Sequence, residues 1–452
     1  MASQQSASAS SSARVRARAA RVVAEVAFRG RSLDAALAAE LAGARQERGL
    51  LRSLCFDSIR WYIRLDALLG KLLSRPDQPL APEVRSLAIV GLCQLLHTDI
   101  PPHAAVDETV NAARLLGRPR AAGLINAVLR RAQRESALLA SVDRDLALRT
   151  AHPRWLVDAL QADWGEQYES ILAANNQRPP FWIRVNRSRV DPREYRARLE
   201  AQGVRIAAAL FGGAALQLQQ AMDVDELPGF AAGEASVQDA AAQIAARLVD
   251  PQPGERVLDA CAAPGGKTGH LLELAPELGE LTAVDVSGER LRRVEDNLRR
   301  LGVRATLIEA DATDVRAWFS GRPYDRILID APCSGTGVIR RRPDIKLLRR
   351  PEDVPALAAR QLELLQTLWP LLAPGGRLVY ASCSSLRAET VDVMERFLAT
   401  QPEARETPAR DLAPAVALAG QAAGAGPGLR IAAGTDGTDG FYYACVDKTK
   451  GR

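Results

Sequence analysis

The 452-residue sequence predicts a multidomain chain, with an all-α bundle and a small α+β subdomain preceding a doubly wound α/β domain. Two periodicities carry that expectation. From residue 14 to about 135, apolar residues recur at helical spacing in stripes separated by short polar breaks. From residue 236 onward, apolar runs of strand length alternate with helical stripes, the pattern of a mostly parallel sheet covered by helices. A chain of this length does not fold around a single core, so two or three domains are expected.

The helical part opens with Val15, Ala19, Val22, Val23 and Val26 on one face of a helix that carries Arg14, Arg16, Arg18 and Arg21 elsewhere. Leu51, Leu54, Cys55, Ser58, Ile59 and Tyr62 make a second, longer stripe, ended by Ser74-Arg-Pro-Asp. Pro82, suited to a first helical position, begins a third with Val84, Leu87, Ala88, Gly91, Leu92 and Leu95. Two more surround Val106-Val110-Ala113 and Leu124-Ile125-Val128-Leu129, as in a compact helical bundle.

Between about 140 and 235 the pattern is mixed. His152-Pro-Arg-Trp starts a short helix, Pro180-Phe-Trp-Ile-Arg-Val-Asn186 alternates like a strand, and arginines crowd at 178, 184, 187, 189, 193, 196 and 198. Trp182 could stack on a base, but an aromatic in an alternating strand is more often core. In the last part, strands are expected at 256–260, 281–286, 305–310, 325–330 and 377–382. Helices are expected at 238–249, 266–275, 288–301, 353–372 and 386–399. Phe441-Tyr-Tyr-Ala-Cys-Val446 reads as a final antiparallel strand. The expected divisions are a disordered tail at 1–13, a helical domain at 14–140, an α+β RNA-binding linker subdomain at 141–235 and an α/β domain at 236–448.

Composition narrows the classes. No run approaches the roughly 18 apolar residues of a membrane span, and the Ser-rich start lacks the apolar core of a secretory signal. A cytoplasmic protein is expected. Net charge is +5 but unevenly placed: residues 1–150 carry 22 Lys and Arg against 14 Asp and Glu, the remainder 37 against 40. The basic half suits either a solvated helical surface or phosphate backbones. Six cysteines with no paired spacing point to reduced thiols, and the four histidines stand near no C-x-x-C, so no metal site is expected.

In a parallel α/β sheet, function sits in the loops at the strands' carboxyl ends. Taken in turn these ends hold Cys261-Ala-Ala-Pro-Gly-Gly-Lys-Thr268, then Asp285, Asp311, Asp330-Ala-Pro-Cys333 and Ser382-Cys-Ser384. A Walker motif needs glycine five residues before Gly266, where Cys261 stands, and the G-x-G-x-x-G of a dinucleotide site is missing. What remains is a ligand with a ribose and an adenine but no large phosphate group. Asp285 can accept from the ribose hydroxyls and Asp311 from the adenine amine, and S-adenosylmethionine fits that list. Asp330 and the two thiols then suggest methylation at carbon-5 of cytosine. That carbon is not nucleophilic until a thiolate adds at carbon-6, and an acid and a base must serve the ring as charge moves. The residues alone leave open which thiol attacks.

The motifs Asp259-Ala-Cys-Ala-Ala-Pro-Gly-Gly-Lys-Thr268, Asp330-Ala-Pro-Cys-Ser-Gly-Thr-Gly337 and Tyr380-Ala-Ser-Cys-Ser384 resemble those of the RNA (cytosine-5) methyltransferase family of the NOL1/NOP2/Sun type. Val237-Gln-Asp-Ala-Ala-Ala-Gln and Asp439-Gly-Phe-Tyr-Tyr-Ala are similar to its flanking motifs. The N-terminal segment resembles the RNA-binding NusB family through its basic first helix, Glu83-Val-Arg-Ser-Leu-Ala-Ile-Val, the Pro101-Pro-His turn and Gly123-Leu-Ile-Asn-Ala-Val-Leu-Arg130.

These resemblances imply a Rossmann-like fold, S-adenosylmethionine as cofactor, and one cytosine of 16S rRNA, naked or in an early small-subunit particle, as target of a monomer. They imply Cys383 as nucleophile and Cys333 as the thiol that assists breakdown of the adduct. Cys261, Ala262, Ala263, Pro264, Gly265, Gly266, Lys267, Asp285, Asp311 and Asp330 match cofactor positions, with Lys267 also pairing Asp330 near the base. Ser382 departs from the threonine of many relatives but keeps a hydroxyl. The run Val338-Ile-Arg-Arg-Arg-Pro-Asp-Ile-Lys346 with Arg349 and Arg350, close in sequence to the proposed acid, is expected to touch phosphate. The target base would have to leave its stack. Competing readings are the same chemistry on tRNA or large-subunit RNA, and a non-catalytic RNA-binding assembly or antitermination factor.

Overall fold

The computed structural model describes residues 11–42, 47–408, 411 and 426–450. Most of the expected tail, residues 1–10, lies outside these, and the first helix, Ser11–Arg29, begins inside the expected tail. The chain divides into two compact units, Met1–Gln177 with Ile339–Arg349, and Arg178–Val338 with Arg350–Arg452.

The first unit is helical. Val15, Ala19, Val22, Val23 and Val26 are at most 1% exposed, and full burial of each valine contributes on the order of 1.5–3 kcal/mol. The long second stripe breaks at Trp61 into Arg48–Arg60 and Tyr62–Leu72. Pro82 opens the helix Pro82–His97 as expected. Arg16, on the apolar face of the first helix, is buried, and its Nε donates to Gln94 Oε1 at 3.0 Å.

Residues 141–177 pack with this helical unit: Arg60 Nη1 donates to the Gln177 carbonyl at 3.2 Å, and Asn175 meets His152 at 3.3 Å. The basic run at 339–349 also packs within it. Arg340 and Lys346 are 1% and 3% exposed, so neither side chain is free to reach a phosphate. Arg340 lends its carbonyl to Arg60 Nη1 at 2.9 Å. Lys346 Nζ donates to the Arg60 carbonyl and to Asn176 Oδ1, at 2.5 and 2.9 Å. Burial, then the neighbouring Arg60 charge, pushes Lys346 well below the ordinary lysine value. Leu33 N–H donates to Asp344 Oδ2 at 3.0 Å, and Arg342 pairs with Asp34. Sequence could not show this, because a charged run carries no sign of its partners.

The second unit has two sheets. Strands β1 (Phe181–Val185), β2 (Ile206–Leu210), β3 (Ala215–Leu218) and β4 (Ala235–Val237) form an antiparallel sheet in the order β2-β3-β1-β4. This sheet packs against the α/β part of the unit. Arg184 of β1 is fully buried and bidentate to Glu273, at 2.6 and 2.8 Å. Trp182 is buried, with its indole N–H on the Gly437 carbonyl at 3.0 Å. It is a core residue rather than a base platform.

The larger sheet comprises β5 (Arg256–Ala260), β6 (Glu280–Asp285), β7 (Thr306–Glu309), β8 (Tyr324–Asp330), β9 (Leu372–Ser382), β10 (Ala404–Glu406), β11 (Leu429–Ile431) and β12 (Phe441–Lys448). Its order is β10-β12-β9-β8-β5-β6-β7, with β11 beside β12. β5 to β9 are parallel, while β12 runs antiparallel to β9. Every residue of β5 is buried, as expected of a central strand covered on both faces. The chain leaves β5 toward β6 on one side and returns as β8 on the other, so the strand order reverses at β5. The crevice at that reversal is where such sheets bind ligands.

Candidate active site

The loop after β5 is shaped by its backbone. Cys261 takes a positive φ of 61°, and Gly265 has φ 92° as the residue before the helix Gly266–Leu274. A Cβ on Gly265 would stand 3.0 Å from Val294 Cα, so this turn admits only glycine without displacing the next helix. Asp285, ending β6, braces the loop. It accepts from Ala263 N–H and Ser287 N–H at 3.1 Å each, with Arg290 at 3.6 Å. Arg290 in turn donates to the Ala263 carbonyl at 2.7 Å. Each Asp285 oxygen keeps a lone pair for a further donor. At the next strand end, Thr313 N–H, Thr313 Oγ1 and Arg360 all reach Asp311 Oδ1. Burial opposes ionisation there, but these donors outweigh it and hold Asp311 below the ordinary carboxylate value.

Across the switch point, Lys267 Nζ lies 2.6 Å from Asp330 Oδ2. Burial would pull this ammonium down, but the charge and hydrogen bond of Asp330 hold it above the ordinary lysine value. Cys333 Sγ and Cys383 Sγ are 3.3 Å apart. Their hydrogen bond is the first cause that lowers Cys333 and the first that raises Cys383. Behind the loop, Thr268 Oγ1 donates to buried Asp259 Oδ2 at 2.6 Å. The three motif cysteines are partly exposed, whereas Cys55, Cys93 and Cys445 are buried. Burial, then the charges of Asp330 and Asp285, pushes the Cys261 thiol up to about 12.

A cavity of about 340 Å³ joins these parts, lined by Cys261, Ala263, Asp285, Asp311, Asp330, Cys333 and Cys383 among others. Its size falls within the range of small-molecule sites. Ala262, Pro264, Gly265, Gly266 and Lys267 do not line it. Two of them help hold the loop: Ala262 N–H bonds the Val284 carbonyl at 3.0 Å, and the Gly265 carbonyl accepts from Asn297 at 3.2 Å. Sequence reasoning missed Arg290, Arg360 and Val286, which also line the cavity, and Glu389, which lies behind the thiols. The arginines carried no signal beyond one more charge on a helix. Val286 follows Asp285 and is 69% exposed, a large apolar residue left bare beside the cavity. Among the described residues, no group of three His, Cys, Asp or Glu is placed to hold a metal ion, and no helix is long and apolar enough to cross a membrane.

The strand order, the glycine turn after the first strand and the acids ending the next ones define the α/β fold of S-adenosylmethionine methyltransferases. Residues 246–447 match the 16S rRNA methyltransferase RsmB/F family, 152–225 the ferredoxin-like domain of RsmF/B-like methyltransferases, and 13–134 the NusB family. The ribosomal RNA small subunit methyltransferase B of Pseudomonas putida is 49% identical over 432 residues, covering 95% of this chain and 97% of that relative. Among solved structures, PH0851 covers 96% of this chain and 99% of its own, with a TM-score of 0.78 at 24% identity, a likeness of fold. A methyltransferase homolog protein from Pyrococcus horikoshii gives a TM-score of 0.59 at 28% identity, covering 68% of this chain and 99% of its own. The chain belongs to the 16S rRNA methyltransferase RsmB/F family, with a NusB domain at its N-terminal end.

Proposed function

We propose that the protein methylates carbon-5 of one cytosine in small-subunit rRNA through a covalent cysteine adduct. The observation that carries this reading is the pair of thiols 3.3 Å apart beside the Lys267–Asp330 pair, at the mouth of a cavity with ribose-type acceptors. The donor set fits S-adenosylmethionine. Asp285 would hold the ribose hydroxyls, Asp311 Oδ2 the adenine amine and Val286 an adenine face, with Cys261 and Ala263 forming the loop wall. When bound there, this cofactor supplies the methyl group.

The chain's own groups do the rest. The Cys383 proton passes to Cys333 across their hydrogen bond and on to water, and the Cys383 thiolate bonds carbon-6 of the cytosine. Asp330, kept in place by Lys267, hydrogen-bonds the ring edge as electrons shift toward carbon-5. Once carbon-5 carries the methyl, Cys333 accepts its proton, the ring regains aromaticity and Cys383 departs. Bisulfite sequencing of rRNA from a deletion strain, with and without the gene restored, tests the reading. One small-subunit cytosine should lose protection on deletion and regain it on complementation; small-subunit rRNA that is unchanged refutes the substrate.

A further inference from the structure

Six residues beyond Cys383, in the turn Arg387–Glu389, a carboxylate is fully buried behind the thiols. Glu389 Oε1 accepts from Ser334 N–H at 2.7 Å and from Gln361 Nε2 at 3.2 Å. Its Oε2 accepts from Ser384 Oγ at 2.7 Å. Ser334 directly follows Cys333 and Ser384 directly follows Cys383, so one side chain holds both cysteine loops. The clamp is itself anchored. Tyr380 Oη donates to the Glu389 carbonyl at 2.8 Å, and Gln361 also donates to the Pro332 carbonyl at 2.9 Å. The loops touch again where Gly337 N–H donates to the Cys383 carbonyl at 2.8 Å. A Cβ at 337 would overlap the Gly440 carbonyl oxygen, so this approach also requires glycine.

We propose that Glu389 is a positioning residue that sets the separation of the Cys333 and Cys383 sulfurs by tying the two loops to one carboxylate. It has no path to the substrate except through those loops, since it lies buried behind them. A buried carboxylate is costly unless its oxygens are hydrogen-bonded, and here three donors reach them. Two thiols that must exchange a proton and serve adjacent carbons of one ring need spacing held to a fraction of an ångström. The catalytic meaning of that spacing rests on the function proposed above, but the spacing itself does not.

The test reads the spacing without RNA or cofactor. Equilibrating the full-length protein with oxidised and reduced glutathione measures the effective concentration of the thiol pair. In that exchange, two protein thiols form a disulfide while one glutathione disulfide becomes two thiols, in a background with the other four cysteines replaced by Ser or Ala. Glu389→Ala should lower the effective concentration at least about tenfold. Glu389→Gln, the same size and able to accept from Ser334, should restore it to within about threefold. In turnover, Glu389→Ala should lose kcat with KM little changed. An alanine variant whose thiol pair matches the wild type overturns the proposal, whatever its activity. Should that variant not fold, Glu389→Asp decides: its carboxylate is withdrawn by one methylene, so a lowered value supports the clamp and an unchanged one refutes it. A clear loss of thiol coupling together with no methyl transfer by the wild type would refute the function while leaving the clamp standing.

Discussion

Cys333 Sγ and Cys383 Sγ stand 3.3 Å apart, close enough to share one proton and too far to be bonded. Both lie at strand ends, Cys333 three residues beyond β8 and Cys383 directly after β9. That placement gives each thiol its own loop and hence its own role.

The first prediction separates those roles. RNA carrying 5-fluorocytosine at the target offers no carbon-5 proton to remove, so an enzyme that attacks carbon-6 stays attached. Cys383→Ala should give no adduct on a denaturing gel, because the attacking atom is gone. Cys333→Ala should still form an adduct and should accumulate one even on unmodified cytosine. The reverse pattern would exchange the two assignments.

The second concerns the Lys267–Asp330 pair. Asp330 supplies the charge and the hydrogen bond that keep Lys267 up against burial. In Asp330→Ala both are lost, burial prevails, and the ammonium should shift below the ordinary lysine value, within reach of neutral amine at mild alkaline pH. A pH series of amine acylation, read by mass spectrometry at Lys267, checks the direction. Turnover should fall by roughly 10²–10⁴, the usual scale for losing a positioned acid or base. An acylation profile unmoved by the substitution would show that Asp330 does not hold the lysine charged.

The third comes from the run at 339–349, where Arg340 and Lys346 are buried. Lys346→Ala removes the donor shared by the Arg60 carbonyl and Asn176, and leaving such acceptors unsatisfied costs about 1–3 kcal/mol. Trypsin should then cut after Arg341 on the order of tenfold faster, since about 1.4 kcal/mol is a factor of ten in local opening. Unchanged cleavage kinetics would mean that the segment is held by other contacts.

Much of this was legible from residue pattern. The α/β alternation located β5 to β9 because buried parallel strands are continuous apolar runs, and the loop residues between such strands have few other places to go. The strand-end acids and thiols followed from that geometry, and Cys261, Asp285, Asp311, Asp330, Cys333 and Cys383 do line one cavity. Long-range polar partnership left no periodic trace. Arg340 and Lys346 looked like a solvent-facing run, but the Arg340 carbonyl accepts from Arg60, and Lys346 donates to the Arg60 carbonyl and to Asn176, partners more than a hundred residues away. Arg184 read as one of seven arginines for RNA, while its bidentate Glu273 lies in another periodic segment. Glu389 was hidden for the same reason: its partners are a backbone N–H, an amide and a hydroxyl.

The fourth prediction uses Asp259. Burial is the main cause that pushes its carboxyl from 3.8 up to about 7. Thr268 bonds one oxygen at 2.6 Å, while the other, Oδ1, has no partner. A folded-state value above the unfolded one means that the native chain binds the extra proton between the two. Stability should therefore fall as pH rises from about 4 to about 7 and level off above that. Asp259→Asn keeps an oxygen for Thr268 and cannot titrate, so its stability should lack this slope. Relative to its own value at pH 4, the variant should gain roughly 4 kcal/mol on the wild type by pH 8. Denaturant titrations at the two pH values measure that difference, and any fixed cost of the amide cancels between them. Parallel pH slopes in the two proteins would mean that Asp259 is already ionised at pH 4 or still protonated at pH 8.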